Sequence, residues 1–288
     1  MNLKQFDKMA VKNILIAVKT YPTLSEKYDE LVCTAGFLED GSWVRIYPIP
    51  YRKLDYTERY QKWHWISLDI EKNPHDFRKE SFRPVNIDSE LIISKHVGTQ
   101  NNWAERKKIV LKHVYTNMEE LISEAKDNKI GTSLAVLKPK EVVDFVWEEC
   151  KERDWDKKKL DKILAKQTQL SLFEEENETR KIFKVVKKVP YEFSYIFTTE
   201  DGNQRKLMIE DWEVGMLYWN CLKESQGNEE IACQKVKEKY FDKFVKERDL
   251  YFFLGTTMKF HNVGRNPFII IGTFYPKREN HQQMSLDF

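Results

Sequence analysis

The chain has 288 residues, of which 33% are charged and 13% aromatic, with a formal net charge of only +2. It is long enough for one large or two small domains with a sizeable core. So small a net charge provides no global field toward nucleic acid, so a nucleic-acid face has to be a local patch. Cys33, Cys150, Cys221 and Cys233 include no C-x-x-C pair, against a zinc cluster or disulfide scaffold and in keeping with a reducing cytosol. A basic N-terminus without a sustained apolar stretch reads as neither signal peptide nor membrane span, so the expectation is a cytoplasmic, nucleoid-associated protein.

In chain order, residues 14–19 form a short apolar run stopped by Tyr21-Pro22, as expected of a buried first strand. The runs 31–37 and 43–47 flank Glu39-Asp40-Gly41, a hairpin signal, and further strands are expected at 63–70 and 91–93. Residues 10–100 thus read as a mainly antiparallel β unit. From Trp103 to Lys126 the apolar spacing turns helical. A strand at 133–137, a helix at 141–150 and a basic helix at 156–166 complete a central segment, 103–178, that ends in an acidic linker. Residues 180–276 restart with strands at 191–197 and 205–209, then helices at 211–223 and 229–246, then strands at 250–254 and 268–274. The fold expected is α+β, with a β-β-α-α-β-β C-terminal unit, an exposed tail at 277–288 and no internal repeat.

Several catalytic signatures are missing: no phosphate-binding glycine loop, H-E-x-x-H or G-x-S-x-G occurs, and the six histidines lack ligand spacing. No cofactor or metal is expected from motifs. The cluster Glu210-Asp211-Trp212-Glu213 lies where a strand hands over to a helix. Asp211 as a helix cap explains it. The functional alternative is a carboxylate beside an aromatic plane, which is what base excision needs, with Asp211 or Glu213 as the acid/base and Trp212 holding the base. Lys19, Tyr21, Arg45, Tyr47, Arg52, Lys62 and Arg78 fall in the β unit, and cations alternating with planar rings suit phosphates and exposed bases. Strand alternation puts Trp43, Arg45 and Tyr47 on one face. The run 180–188 reads as an exposed basic strand protected by lysines. Dispersed carboxylates such as Asp69, Glu71 and Asp211 leave a metal-dependent nuclease as a further alternative.

Two short peptides add an address. Gln169-Leu170-Ser171-Leu172-Phe173 and the terminal Gln283-Met284-Ser285-Leu286-Asp287-Phe288 resemble the peptides by which bacterial polymerases and mismatch-repair proteins dock on the replication sliding clamp. The resemblance implies docking through Gln169, Leu170, Leu172 and Phe173, or through Gln283, Met284, Leu286 and Phe288, with leucine and phenylalanine anchoring in an apolar pocket. A free tail reaches a pocket more readily than an internal copy. The body also resembles uncharacterised bacterial proteins of mobile-element and phage-defence regions, through Lys19-Thr20-Tyr21-Pro22, Cys33-Thr34-Ala35-Gly36, Asp211-Trp212-Glu213 and Phe253-Leu254-Gly255-Thr256. Together these readings predict a DNA-transaction protein of repair or defence that recognises or excises damaged or modified bases, with a non-enzymatic clamp-binding regulator or modified-DNA reader as the alternative.

Overall fold

The computed structural model describes residues 10–25, 29–49, 59–86, 91–173 and 185–279. Seven strands make the first sheet: β1 (Ala10–Lys19), β2 (Thr23–Ser25), β3 (Asp29–Phe37), β4 (Trp43–Ile49), β5 (His64–Lys72), β6 (Ser81–Pro84) and β7 (Ile92–His96). Neighbours run β1-β3-β4-β6-β5, and β5 pairs back onto β1, so the sheet closes on itself. All these pairings are antiparallel except β4 with β6. Counting the five ring strands in chain order, the circuit is 1-2-3-5-4-1, closed in parallel between the third and fifth. That is the topology of the OB-fold, a partly open Greek-key barrel. The expected hairpin forms between β3 and β4, with Gly41 at φ 86° and the Asp40 carboxylate accepting from the Ser42 amide (2.8 Å).

The apolar run of β1 is buried on both faces for a reason visible in its register. Ile14 and Ile16 point into the barrel with Val32, Val44, Ile46, Ile66, Leu68 and Ile70. A bulge between Ile16 and Val18 then turns Ala17 and Val18 toward a different apolar cluster outside the barrel.

A left-handed turn at Asn101, Asn102 and Trp103 (φ 48°, 51° and 62°) opens the connector α1 (Gln100–Val110), and the Asn102 amide pairs with the Lys277 backbone in both directions (2.9 and 2.7 Å). The helical pattern expected to run unbroken to Lys126 is interrupted by β8 (Val114–Tyr115). Asn117 then caps a separate helix, α2 (Met118–Lys126), accepting from the Glu119 and Glu120 amides. After β9 (Leu134–Leu137), residues expected to be helical form β10 (Glu141–Glu149), paired along its length with β11 (Tyr191–Thr198). Val142, Val143, Phe145, Val146 and Trp147 are β-branched or aromatic, and a partner strand outweighed their helical spacing. Between them lies α3 (Lys157–Phe173). Beyond it, residues 185–188 of the basic run are not a strand: the Val186 amide donates to Glu30 and its carbonyl accepts from Trp155.

The C-terminal unit has the expected order. β12 (Gln204–Met208) precedes α4 (Trp212–Glu224) and α5 (Glu229–Lys237), which continues through a π-helical stretch (Glu238–Lys243) into α6 (Phe244–Glu247), and β13 (Tyr251–Thr256) and β14 (Phe268–Phe274) follow. Its pairings reveal a repeat that the sequence does not show. β9 and β10 act as one bent strand, broken at Pro139, whose first half pairs with β13 and second half with β11. β11 pairs with β12, and β12 runs into a parallel bridge, Ile209 to Ile270, with β14. β14 returns to β13. The circuit is again 1-2-3-5-4-1 with a parallel third–fifth closure, so the chain is two OB-like barrels in tandem. The repeat lies in hydrogen-bond topology, which different apolar side chains can satisfy equally well. The α+β description holds: the second barrel is filled by Phe145, Phe193, Tyr195, Phe197 and Phe252 and plugged by helical Val214, Tyr218, Cys233, Val236 and Tyr240.

The barrels meet along an apolar seam. Ala17, Val18, Ala35 and Phe37 of the first pack on Leu134, Val136, Phe253, Ile271 and Phe274 of the second. Phe253 is its centre, with the rings of Phe37, Trp43 and Trp63 at 5.9, 5.5 and 6.4 Å. Phe253→Ala is expected to destabilise the protein by about 3–5 kcal/mol. Urea unfolding followed by tryptophan fluorescence checks this, and the loss should appear in one transition common to both barrels.

Candidate functional site

Two polar clusters flank the seam, and between them they collect most of the residues singled out from the sequence. The first forms where the end of β1, the segment before β5 and the start of α4 converge. The Lys62 ammonium donates to both Asp211 oxygens (2.8 and 2.9 Å) and lies 3.3 Å from the Glu213 carboxylate. Asp211 is 1% exposed, and it also caps α4 by accepting from the Glu213 amide (3.2 Å). The Glu213 side chain remains 47% exposed. Lys19 donates to the Tyr60 carbonyl (3.4 Å) and stands 5.6 Å above the Trp212 ring. Tyr21 donates to the Lys187 carbonyl (2.7 Å), accepts from the Trp219 indole (2.9 Å) and lies 6.4 Å from Trp212. Its ring rests directly on α4 at Gly215, where a Cβ would sit 2.2 Å from a ring carbon. A mid-helix glycine is therefore part of the site, a role with no signature in the sequence.

Two lysines face two carboxylates here, and burial tunes them apart. Burial pushes the Asp211 carboxyl up to about 6, against the opposing pull of Lys62. Burial works to lower Lys62, but Asp211 and Glu213 outweigh it and hold its ammonium above the ordinary lysine range. Glu213 is likewise raised by burial and lowered further by Lys62, ending below the usual carboxylate range. Lys19 falls to about 8, through burial first and the neighbouring Lys62 charge second. A buried amine titrating well below the ordinary lysine range next to carboxylates is a chemically capable arrangement.

The second cluster holds Arg45 and Arg78. Arg45 is 3% exposed, and its guanidinium donates to the Ser81 hydroxyl (3.1 Å), the Ser133 hydroxyl (2.9 Å) and the Ser133 carbonyl (3.1 Å). Arg78 is bound by the Asp76 carboxylate (2.8 and 2.5 Å) and donates to the Thr256 carbonyl. Glu80 accepts from Ser133 through its amide (3.1 Å) and hydroxyl (2.7 Å), and the His261 ring bonds the Thr256 hydroxyl (2.8 Å). Both arginines expected on a phosphate-binding surface thus tie the barrels together from inside. A lone buried charge is costly, and here each has the partners that burial demands.

Tyr47 stays 38% exposed near the end of β4, and its carbonyl accepts from Asn73. Arg52 lies outside the described residues, as do Gln283, Met284, Leu286 and Phe288 of the terminal clamp-like peptide. The internal copy, Gln169, Leu170, Leu172 and Phe173, lies on the last turns of α3, so its backbone is helical. Of the dispersed carboxylates, Glu71 bonds Arg83 (2.8 Å) and Asp211 bonds Lys62. Among the described residues no group of three His, Cys, Asp or Glu is placed to hold a metal ion. Arg106 escaped the sequence reading altogether. Its guanidinium lies against both Trp63 (4.3 Å) and Trp103 (4.9 Å), whose rings meet edge to face, and donates to the Val97 carbonyl.

Lys62→Met is expected to cost about 3–5 kcal/mol, because it leaves the Asp211 carboxylate buried and unpaired. Denaturant unfolding at neutral pH measures it, and adding Asp211→Asn should recover part of the loss. Lys19 makes a separate prediction. Its folded value of about 8 lies below the ordinary 10.5. In that window the unfolded chain holds the proton and the folded chain does not, so Lys19 adds stability as pH rises from about 8 to 10.5. The stability difference between wild type and Lys19→Met should therefore grow in favour of wild type over that range. Unfolding free energies measured at three pH values across it provide the check.

Comparison with known families divides the chain where the barrels divide. Residues 10–112, the first barrel with α1, match the family described as Domain of unknown function (DUF8758). No curated protein matches the chain. Residues 114–287, the second barrel and well over half of the chain, match the family described as Domain of unknown function (DUF8757), and the protein belongs to that family.

Proposed function

We propose that this protein is a DNA-transaction factor of repair or phage defence, one that docks on the replication sliding clamp and reads damaged or modified bases through its paired barrels. The observation that carries the reading is the topology: two OB-like barrels in tandem, a scaffold whose loops and sheet face suit oligonucleotides and oligosaccharides. Fold-level analogy raises the expectation of nucleic-acid recognition without assigning chemistry. Recognition without excision fits the first cluster best, because the Asp211 carboxylate is held by Lys62 and by the helix cap with almost no surface left for a substrate.

Base excision is the second reading, and one observation favours it. Glu213 keeps about half of its side chain exposed, beside Lys62 and close to Lys19 and Trp212, so a carboxylate, an amine of lowered pKa and a planar ring adjoin one another. No helix among the described residues is long and apolar enough to cross a membrane.

Incubation with plain and base-modified duplexes, with and without EDTA, separates the readings. A reader retards modified duplexes and leaves every strand intact after alkali. Alkali-labile abasic sites produced by wild type and lost in Glu213→Gln would establish excision instead. For docking, removal of residues 283–288 is expected to abolish clamp binding in a pull-down, and undiminished binding would take the tail out of the proposal.

A further inference from the structure

The loops that join the fourth and fifth strands of the two barrels meet side by side. In the first barrel this loop is residues 73–80, between β5 and β6; in the second it is 257–267, between β13 and β14. Arg78 of one donates to the Thr256 carbonyl at the base of the other, and the Phe77 and His261 rings lie 5.4 Å apart. A third loop, 127–133 after α2, joins them. Lys79 donates to the Lys129 carbonyl, and Lys126 donates to the Arg265 carbonyl (3.2 Å). Three segments distant in sequence are thereby held as one surface.

That surface is apolar and cationic together. Phe77, Ile130, Met258, Phe260 and Val263 are between 46% and 77% exposed. Exposed apolar side chains gathered in this way mark an interaction site. Lys79, Lys126, Lys129, Lys259 and Arg265 are exposed among them. The carboxylates on the same loops are engaged: Asp76 by Arg78, Glu80 by Ser133, and Asp127 by the amides of Lys129 and Ile130.

The sheet faces on which OB barrels ordinarily receive ligands are less suitable here. On the first barrel, Phe37 and Trp43 of the second and third strands are covered by Phe253 of its neighbour. On the second, the Lys206 cation of the third strand, β12, is already engaged by Glu148 of β10 (2.5 Å), with Glu192 of β11 opposite Glu148. We infer that the paired fourth–fifth-strand loops form a binding surface for single-stranded DNA, with Phe77 and Phe260 stacking on bases and Lys129, Lys259 and Arg265 meeting phosphates. The inference rests on the nucleic-acid reading above and gives it a place on the molecule. Rings stack on any base and cations track any backbone, so affinity should be salt-dependent and tolerant of sequence.

Fluorescence anisotropy with a labelled oligothymidylate of about 16 nucleotides, the upper site size for one such barrel, tests it on the full chain. Wild type should bind, and the Phe77→Ala/Phe260→Ala double variant should bind at least about 20-fold more weakly, given the usual value of one stacked base per ring. Lys259→Glu should weaken binding and flatten its salt dependence. Both variants change exposed side chains, so their circular dichroism and melting temperature should match wild type. If wild type binds DNA and the double variant binds as tightly, this surface is wrong while the nucleic-acid reading stands. If wild type binds no nucleic acid, both fall. If it instead sediments with phosphatidylglycerol–phosphatidylcholine vesicles through Phe77 and Phe260, the face belongs to an anionic membrane.

Discussion

The described structure is arranged around the apolar contact between two barrels. Phe253, on a central strand of the second barrel, is surrounded by Phe37, Trp43 and Trp63 of the first. An apolar seam alone is non-directional: it favours contact but tolerates sliding. Direction comes from the polar clusters at its flanks. Lys62 meets Asp211 on one side, and Arg45 and Arg78 meet Ser133 and Thr256 on the other. A shifted docking would strand charges that have almost no access to water, and a stranded buried charge costs several kcal/mol. The Lys62–Asp211 ion pair and the buried arginine hydrogen bonds thus contribute register, while hydrophobic burial contributes the affinity of one barrel for the other.

Fixing the register has consequences for what remains available to a ligand. The sheet face that an isolated OB barrel would leave open is closed by its neighbour, and the arginine that alternates with its aromatic residues is turned inward. The same docking brings the two equivalent loops together. Neither loop alone carries more than three exposed apolar side chains; hydrogen bonds from Lys79 and Lys126 join them to the 127–133 segment, so that apolar and cationic side chains of all three lie on adjoining loops. The binding capacity assigned here is a property of the pair of barrels.

Lys19 shows how the same seam tunes chemistry. Its ammonium sits at the end of β1, within reach of a second lysine, and is lowered to about 8 because burial and like charge both oppose its proton. Glu213, on the other barrel, keeps its charge through Lys62. Both values fall, which disfavours the charge on Lys19 and favours it on Glu213, and because the groups come from different barrels any change in docking alters both at once.

Local signals carried much of the secondary structure. Asp40-Gly41 specified its hairpin through a positive φ that glycine adopts freely, and Asp211 specified the start of α4 because its carboxylate can satisfy an amide of the first turn. Adjacent positions such as Asp211, Trp212 and Glu213 were legible as a cluster, and the structure brings Lys19 and Tyr21 to them. Where the pattern was ambiguous, a distant partner decided: residues 141–149 have spacing that suits a helix, and β11 made them a strand. The inward turn of Arg45, the glycine that seats Tyr21, the contact of Arg106 with Trp63 and the meeting of Phe77 with His261 were legible nowhere in the chain. Each depends on contacts between residues roughly forty to more than two hundred positions apart, and only closing and docking the barrels creates them. Turns, caps and apolar runs are short-range physics that a sequence carries openly; barrel closure and the choice of which face to bury are cooperative, and no local pattern encodes them.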